Sequence, residues 1–140
     1  APGEALQLVN FEPSTEGGYR RLNGTTKYNS TIVPQVVSAA DRVQMSAIFN
    51  DKIIAARGGT VYYGGTTGSW TSLATSQGVN NTYDFDKFNF NGTSKIIIAT
   101  GEAAAFTVDT SFNVDVINAT GGGTAPTNPT FIKKIGRAHV

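Results

Sequence analysis

Paired carboxylates are the first residues in this chain that could do chemistry. Asp84 and Asp86 stand two apart, and Asp109 and Asp115 flank a later stretch. Two carboxyl groups across a glycosidic bond would serve as acid and as base or nucleophile. The reading preferred here is plainer: positions at turns, or solvent-facing positions between buried aromatics. Asp84-x-Asp86 is also too sparse for an EF-type calcium loop. A Ser-His-Asp triad would have to use His139, the single histidine. There is no HExxH, no Walker loop and no GxGxxG after a strand. Gly121-Gly122-Gly123 lacks the lysine and following helix of a phosphate loop and reads as a linker. Without cysteine there is neither a disulfide nor a thiolate metal site. The chain is expected to be no enzyme and to carry no cofactor or metal.

Binding is the other chemistry to weigh. Arg20, Arg21 and Arg57 could contact phosphate, and hence DNA, or a partner's carboxylate. The plainer reading is a solvated hairpin face. Tyr62, Tyr63 and Trp70 could form a stacking platform for a sugar, but strand alternation turns at most one of the two tyrosines inward, and Trp70 at the end of a sheet is expected in a core. Five segments fit the N-x-[ST] pattern, beginning at Asn23, Asn29, Asn80, Asn91 and Asn118. Such matches are frequent in Thr-rich β proteins and carry weight only in a secretory context.

These residues need elements to hold them, and the composition says which kind. Of 140 residues, 39% are hydrophobic, 15% are charged and 16 are glycine, a turn-rich β balance with no long helical pattern against it. The net charge of +1 gives no bulk electrostatic case for nucleic acid or acidic membranes. No apolar run approaches the roughly 20 residues of a membrane-spanning helix. The sequence shows no signal peptide and no methionine at position 1, which leaves processing, tagging or excision from something longer open.

The stretch Ala47–Leu73 predicts one sheet of four short strands. Ala47–Phe49, Lys52–Arg57, Thr60–Tyr63 and Ser69–Leu73 are separated by Asn50-Asp51, Gly58-Gly59 and Gly64–Gly68. Asn-Asp and Gly-Gly between apolar runs suit tight primed turns, which need positive φ. The pattern recurs. Phe49, Lys52, Gly58, Tyr63 and Trp70 return as Phe90, Lys95, Gly101, Phe106 and Phe112, a period of 41 to 43 residues. Several short strands repeating at that spacing fit a β-propeller blade, because a small sheet exposes two apolar faces and must stack to bury them. Two tandem sheets of a sandwich would give a similar period. The fold expected is all-β: short antiparallel sheets, a partial β-propeller of about two blades, and an N-terminal hairpin segment.

The remaining boundaries follow. Residues 1–35 form an N-terminal hairpin and connector, with Gly18–Tyr28 turning at Asn23-Gly24. Residues 36–80 make the first unit, and Val36–Ser46 is taken as strand. Residues 81–120 make the second. In it Tyr83, Phe85, Phe88 and Phe90 form an aromatic stripe and Lys95–Thr100 a central strand. Ala103–Val108 returns, and Phe112, Val114 and Val116 give a last strand with one buried face. Residues 121–134 are a linker into a further blade. Residues 135–140, IGRAHV, match the translation of a common sequencing-adapter start and are expected to be foreign, so that the chain would be a metagenomic fragment and His139 would carry no meaning. Two blades leave open faces, so the chain alone is expected to be marginal or to self-associate.

With these residues in place, the chain resembles the β-propeller tail proteins of short-tailed bacteriophages, of the packaged-DNA stabilisation and tail-nozzle type. Asn10-Phe11-Glu12 followed by Gly17–Gly24 looks like that group's opening motif. Phe88–Gly92 leading into KIIIATGEAAAFTVD looks like its blade, and Gly123–Pro129 looks like its linker. Gly101-Glu102-Ala103 departs from the more polar turn usual there. The resemblance implies a virion structural protein of the phage tail that assembles as a homo-oligomeric ring beside portal or tail proteins. It would help close the exit channel and retain packaged DNA, with no enzyme activity and no membrane partner. A receptor- or glycan-binding propeller or tail fibre, using Tyr62 and Trp70, is the alternative. A hydrolase propeller with its catalytic blades elsewhere is a third.

Overall fold

The computed structural model describes residues 11–13, 15–21, 24, 26–34, 42–90, 92–119 and 123–133. Residues Val36–Asp41 of the strand expected over Val36–Ser46, the Asn23 side of the Asn23-Gly24 turn and the IGRAHV tail with His139 lie outside these residues, while Val43–Ser46 of that strand is observed as strand. The described residues hold ten strands and no helix. β1 (Phe11–Pro13) and β2 (Tyr19–Arg21) form a small ribbon; β3 (Val43–Phe49), β4 (Lys52–Arg57), β5 (Thr60–Gly64) and β6 (Thr71–Ala74) form the first sheet; β7 (Asp84–Phe90), β8 (Thr93–Ala99), β9 (Phe106–Asp109) and β10 (Val114–Val116) form the second. Both large sheets are antiparallel meanders with strands in chain order.

Turn chemistry sets the hairpins. Asn50 and Asp51 have φ of 46° and 59°, and Gly58 and Gly59 have 59° and 75°. Paired positive φ values suit two-residue turns whose twist matches the flanking strands. The N-terminal hairpin differs from expectation. Tyr19–Arg21 pairs back on Phe11–Pro13, with Phe11 opposite Arg21, rather than forward around Asn23-Gly24. The chain turns through Thr15–Gly18, where Gly17 and Gly18 both take positive φ; Thr26–Tyr28 is not strand.

One core joins the large sheets. Met45, Phe49, Ile54, Ala56 and Val61 of the first cluster with Tyr83, Ile96, Ile98, Phe106 and Val108 from the second half of the chain. Each fully buried aliphatic or aromatic side chain there contributes roughly 1.5–3 kcal/mol. As expected, β8 is interior to its sheet, with Ile96 and Ile98 fully buried.

The register shows which face each sheet uses. In both, a two-residue turn joins the first two strands, so Phe49 opposite Lys52 corresponds to Phe90 opposite Thr93. Call the side bearing Phe49 and Phe90 the front. The first sheet buries its front: Met45, Ala47, Phe49, Ile54 and Ala56 alternate onto it. The second sheet buries its back, where Phe85 pairs with Ile98, which pairs with Phe106, and Ile96 pairs with Val108. The sheets therefore stack front on back, as successive members of a series do, not front on front about a two-fold. The aromatic stripe splits accordingly. Tyr83 and Phe85 join the core, while Phe88 and Phe90 lie on the outer front face, their ring centroids 5.9 Å apart.

Three details depart from the sequence reading. The second returning strand begins at Phe106; residues 100–105 form a loop instead of its first half. This loop stands where the first sheet has the two-residue Gly58-Gly59 turn. Val114 and Val116 pair with Val108 and Phe106 but are 37% and 48% exposed, because the core stops at Phe106, Val108 and Phe112 and the short edge strand lies beyond it. Only Tyr63 faces the second sheet, as alternation requires, but Tyr62 on the back of the first sheet is buried as well.

Candidate functional site

A polar cluster lies where the loop from β6 to β7 meets both sheets. It is built on Gln44 of β3, which is 2% exposed. A buried amide is tolerated only with partners, and Gln44 has them. Its Oε1 accepts from the Gly59 N–H at 3.3 Å, and its Nε2 donates to the Gly78 carbonyl at 2.9 Å and the Tyr83 hydroxyl at 3.4 Å. The Tyr83 hydroxyl donates to the same Gly78 carbonyl, and the Tyr83 N–H donates to the Gln44 carbonyl at 3.1 Å. Burial, followed by the charge of nearby Glu102, pushes the Tyr83 phenol up to about 12 against the pull of Gln44.

Glu102 completes the cluster from the β8–β9 loop. Its Oε1 accepts from the N–H groups of Asn80 at 2.8 Å and Asn81 at 3.0 Å, and its Oε2 accepts from Asn80 Nδ2 at 3.2 Å. Partial desolvation works to raise its pKa, but these donors outweigh it and hold the carboxyl below the ordinary carboxylate range. The loop that carries Glu102 is itself held by Thr100, fully buried, whose Oγ1 accepts from the Ala103 N–H at 3.0 Å. Opposite, Gly78 has φ of +87°, and a Cβ there would stand 2.5 Å from Glu102. An open cleft of about 570 Å³ adjoins the cluster, lined among others by Gly59, Thr60, Tyr62, Ser72, Ser76 and Glu102.

At the other end of the sheets, Asp109 shapes the β9–β10 turn. Its Oδ1 accepts from Ser111 N–H at 2.8 Å and Asn113 N–H at 2.9 Å, and its Oδ2 accepts from Asn113 Nδ2 at 3.0 Å. The Asn113 donors above all lower the Asp109 pKa. This turn holds Phe112 at φ 64°, an uncommon conformation for an aromatic residue. Its ring stacks on Tyr63 at 4.2 Å and meets Phe49 edge-on at 6.3 Å. Asn50 Nδ2 donates to the Thr110 carbonyl at 2.7 Å beside it.

Scans against protein-family models, curated proteins and solved structures found no match. The chain belongs to no family that these comparisons identify.

The residues singled out from sequence are placed as follows. Arg20 pairs with Glu12 across the N-terminal ribbon at 2.6 Å, and Arg21 lies in β2 of that ribbon. Arg57 is in β4 and donates to the Val33 carbonyl at 2.8 Å, fastening the N-terminal segment to the first sheet. Tyr62 and Trp70 share the back of that sheet. Trp70 lies over Gly64, and its indole N–H donates to the Thr31 carbonyl at 2.9 Å. The paired carboxylates bond to main chain: Asp84 accepts from Phe85 and Ile132 N–H groups, and Asp86 from Lys87 N–H. Among the described residues no group of three or more His, Cys, Asp or Glu could hold a metal. Among the described residues no helix is long and apolar enough to cross a membrane, which says nothing about membrane β-barrels.

Sequence reasoning missed Gln44 and Glu102. A glutamine inside a strand pattern marks a buried amide only once its partners are known, and those are the backbone groups of loops 15 to 34 residues away. The Asp109 turn had a signal: an aspartate with serine two and asparagine four residues later suits an Asx-type turn.

Proposed function

We propose that this chain is a structural virion component of a short-tailed bacteriophage, part of a β-propeller-like wheel at the tail or head–tail junction that helps close the channel and retain packaged DNA. The observation that carries the reading is the front-on-back stacking of two meander sheets at a blade-like period. A series stacked in this sense extends into a ring without changing its contact, whereas front-on-front packing ends after two sheets. The order of the opening, blade and linker motifs supports the viral part of the proposal.

The polar groups support assembly over catalysis. Glu102, Asp109 and Asp84 accept backbone N–H groups and hold loops, a positional use of carboxylates. Tyr62 is buried, which weighs against its use in sugar stacking, while Trp70 is half-buried and tied to Thr31 through its indole N–H. Sequencing outward from the gene tests the proposal. Portal or terminase genes alongside are the expected result; a locus encoding a lone secreted hydrolase overturns it. Immunogold labelling of particles from such a phage should mark the tail and leave the capsid shell bare.

A further inference from the structure

The two-sheet stack leaves an unmatched face at each end. On the front of the second sheet Phe90 is 46% exposed beside half-buried Phe88 and Ile97, along a groove of about 470 Å³ that also takes in Thr107 and the charged Lys95 and Asp115, Lys95 standing where the first sheet has Ile54. On the back of the first sheet Ile48 is 67% exposed opposite half-buried Ile53; Ile53 in turn pairs with Gly64, over which Trp70 lies. Residues 29–33 bond to Trp70, Arg57, Gly65 and Gly68 around that face but leave Ile48 open.

We infer that these two patches are partners: the front of the second sheet in one copy docks on the Ile48–Ile53 patch of a second copy, head to tail. The argument is continuity with the contact already inside the molecule, where the front of one sheet covers the back of the next. The Phe90 face is the register equivalent of the Phe49 face, which is buried by such a back. Phe90 and Ile48 are large apolar side chains left in water at the two ends of the stack, and docking would cover them while setting Lys95 and Asp115 at the rim of the contact. Because the patches differ, the contact is heterologous and adds copies in one direction, closing into a ring if the rotation permits. The inference rests on the wheel-building part of the reading above and not on the virion assignment, which the gene locus tests separately.

Sedimentation velocity on the full chain, over a wide concentration range, is the experiment. Concentration-dependent association is expected, and Ile48→Asp or Phe90→Asp should each weaken it roughly tenfold or more by placing a charge in an apolar contact. Mixing the two variants should restore association that stops at two chains, since each retains the patch the other lacks. Ile48→Thr and Phe90→Thr, which keep β-branched or strand-compatible character, repeat the test should either aspartate impair folding, with circular dichroism as the check. A monomer at every concentration overturns the inference and leaves a sheet from another source to cover Phe90. Association indifferent to both substitutions overturns it too, as does failure of the mixture to associate; a single variant that still pairs with itself as tightly as the parent also overturns it, since like patches would then be meeting like.

Discussion

Glu102 is one carboxylate doing the positional task of a whole turn. Its acceptor pairs with Asn80 and Asn81 fix the loop that leads from the first sheet into the second. With its folded pKa below the unfolded value, its stabilisation is present above the ordinary carboxylate range and is lost as pH falls through the folded value. Glu102→Gln should therefore lower the melting temperature at neutral pH and flatten the acid limb of the stability profile; an unchanged profile would refute the clamp. Tyr83 has the opposite sign. Its phenol is held neutral, so its contribution is complete below about pH 10 and is lost as pH rises toward 12. Tyr83→Phe should cost about 1 kcal/mol at neutral pH through the lost hydrogen bond to Gly78. Denaturant titrations at alkaline pH should then show a shallower decline in the variant than in the parent.

At the scale of elements, the connection from β5 to β6 depends on close approach. Trp70 folds back over Gly64, and a Cβ at Gly64 would stand 2.7 Å from the indole ring. The ring cannot shift freely, because its N–H is bonded to Thr31. Gly64→Ala should cost about 1–3 kcal/mol, the usual penalty for forcing extra atoms into a packed site. Trp70 emission should move to the red as the indole leaves its place; an unchanged spectrum and unchanged stability would show that the ring adapts. The β-elements were largely legible in the sequence because paired turn dipeptides bracket them: β4 matches its expected bounds, and β5 runs only one residue further. The N-terminal hairpin was misread because Asn23-Gly24 is a strong local turn signal, yet strand pairing also requires a partner, and Tyr19–Arg21 finds it upstream in Phe11–Pro13.

At the scale of the whole molecule, neither large sheet has a core of its own. Met45, Ile54 and Val61 are covered by side chains some 40 residues later, among them Ile96, Ile98 and Phe106. The sheets should thus unfold together. Ile98→Ala, in a fully buried position, should cost about 2–5 kcal/mol. Although Trp70 is in the first half, its fluorescence transition should shift with the loss of β-signal in circular dichroism. Two separated transitions, with Trp70 indifferent to Ile98, would mean that the sheets are independent.

Local covalent chemistry alone determined a good deal of this protein. Positive-φ turn residues, β-branched runs and a period of 41 to 43 residues specify two successive four-stranded meanders, since those are short-range preferences. Which face of each meander is buried was not available in that way. The second sheet carries apolar residues on both sides, and alternation identifies a side without saying what will lie against it. Only the packed chain, by laying Ile54 and Phe49 against Ile96 and Phe106 and leaving Phe90 outside, chose front on back. The same long-range contacts gave Gln44 and Glu102 partners that no sequence neighbour could supply.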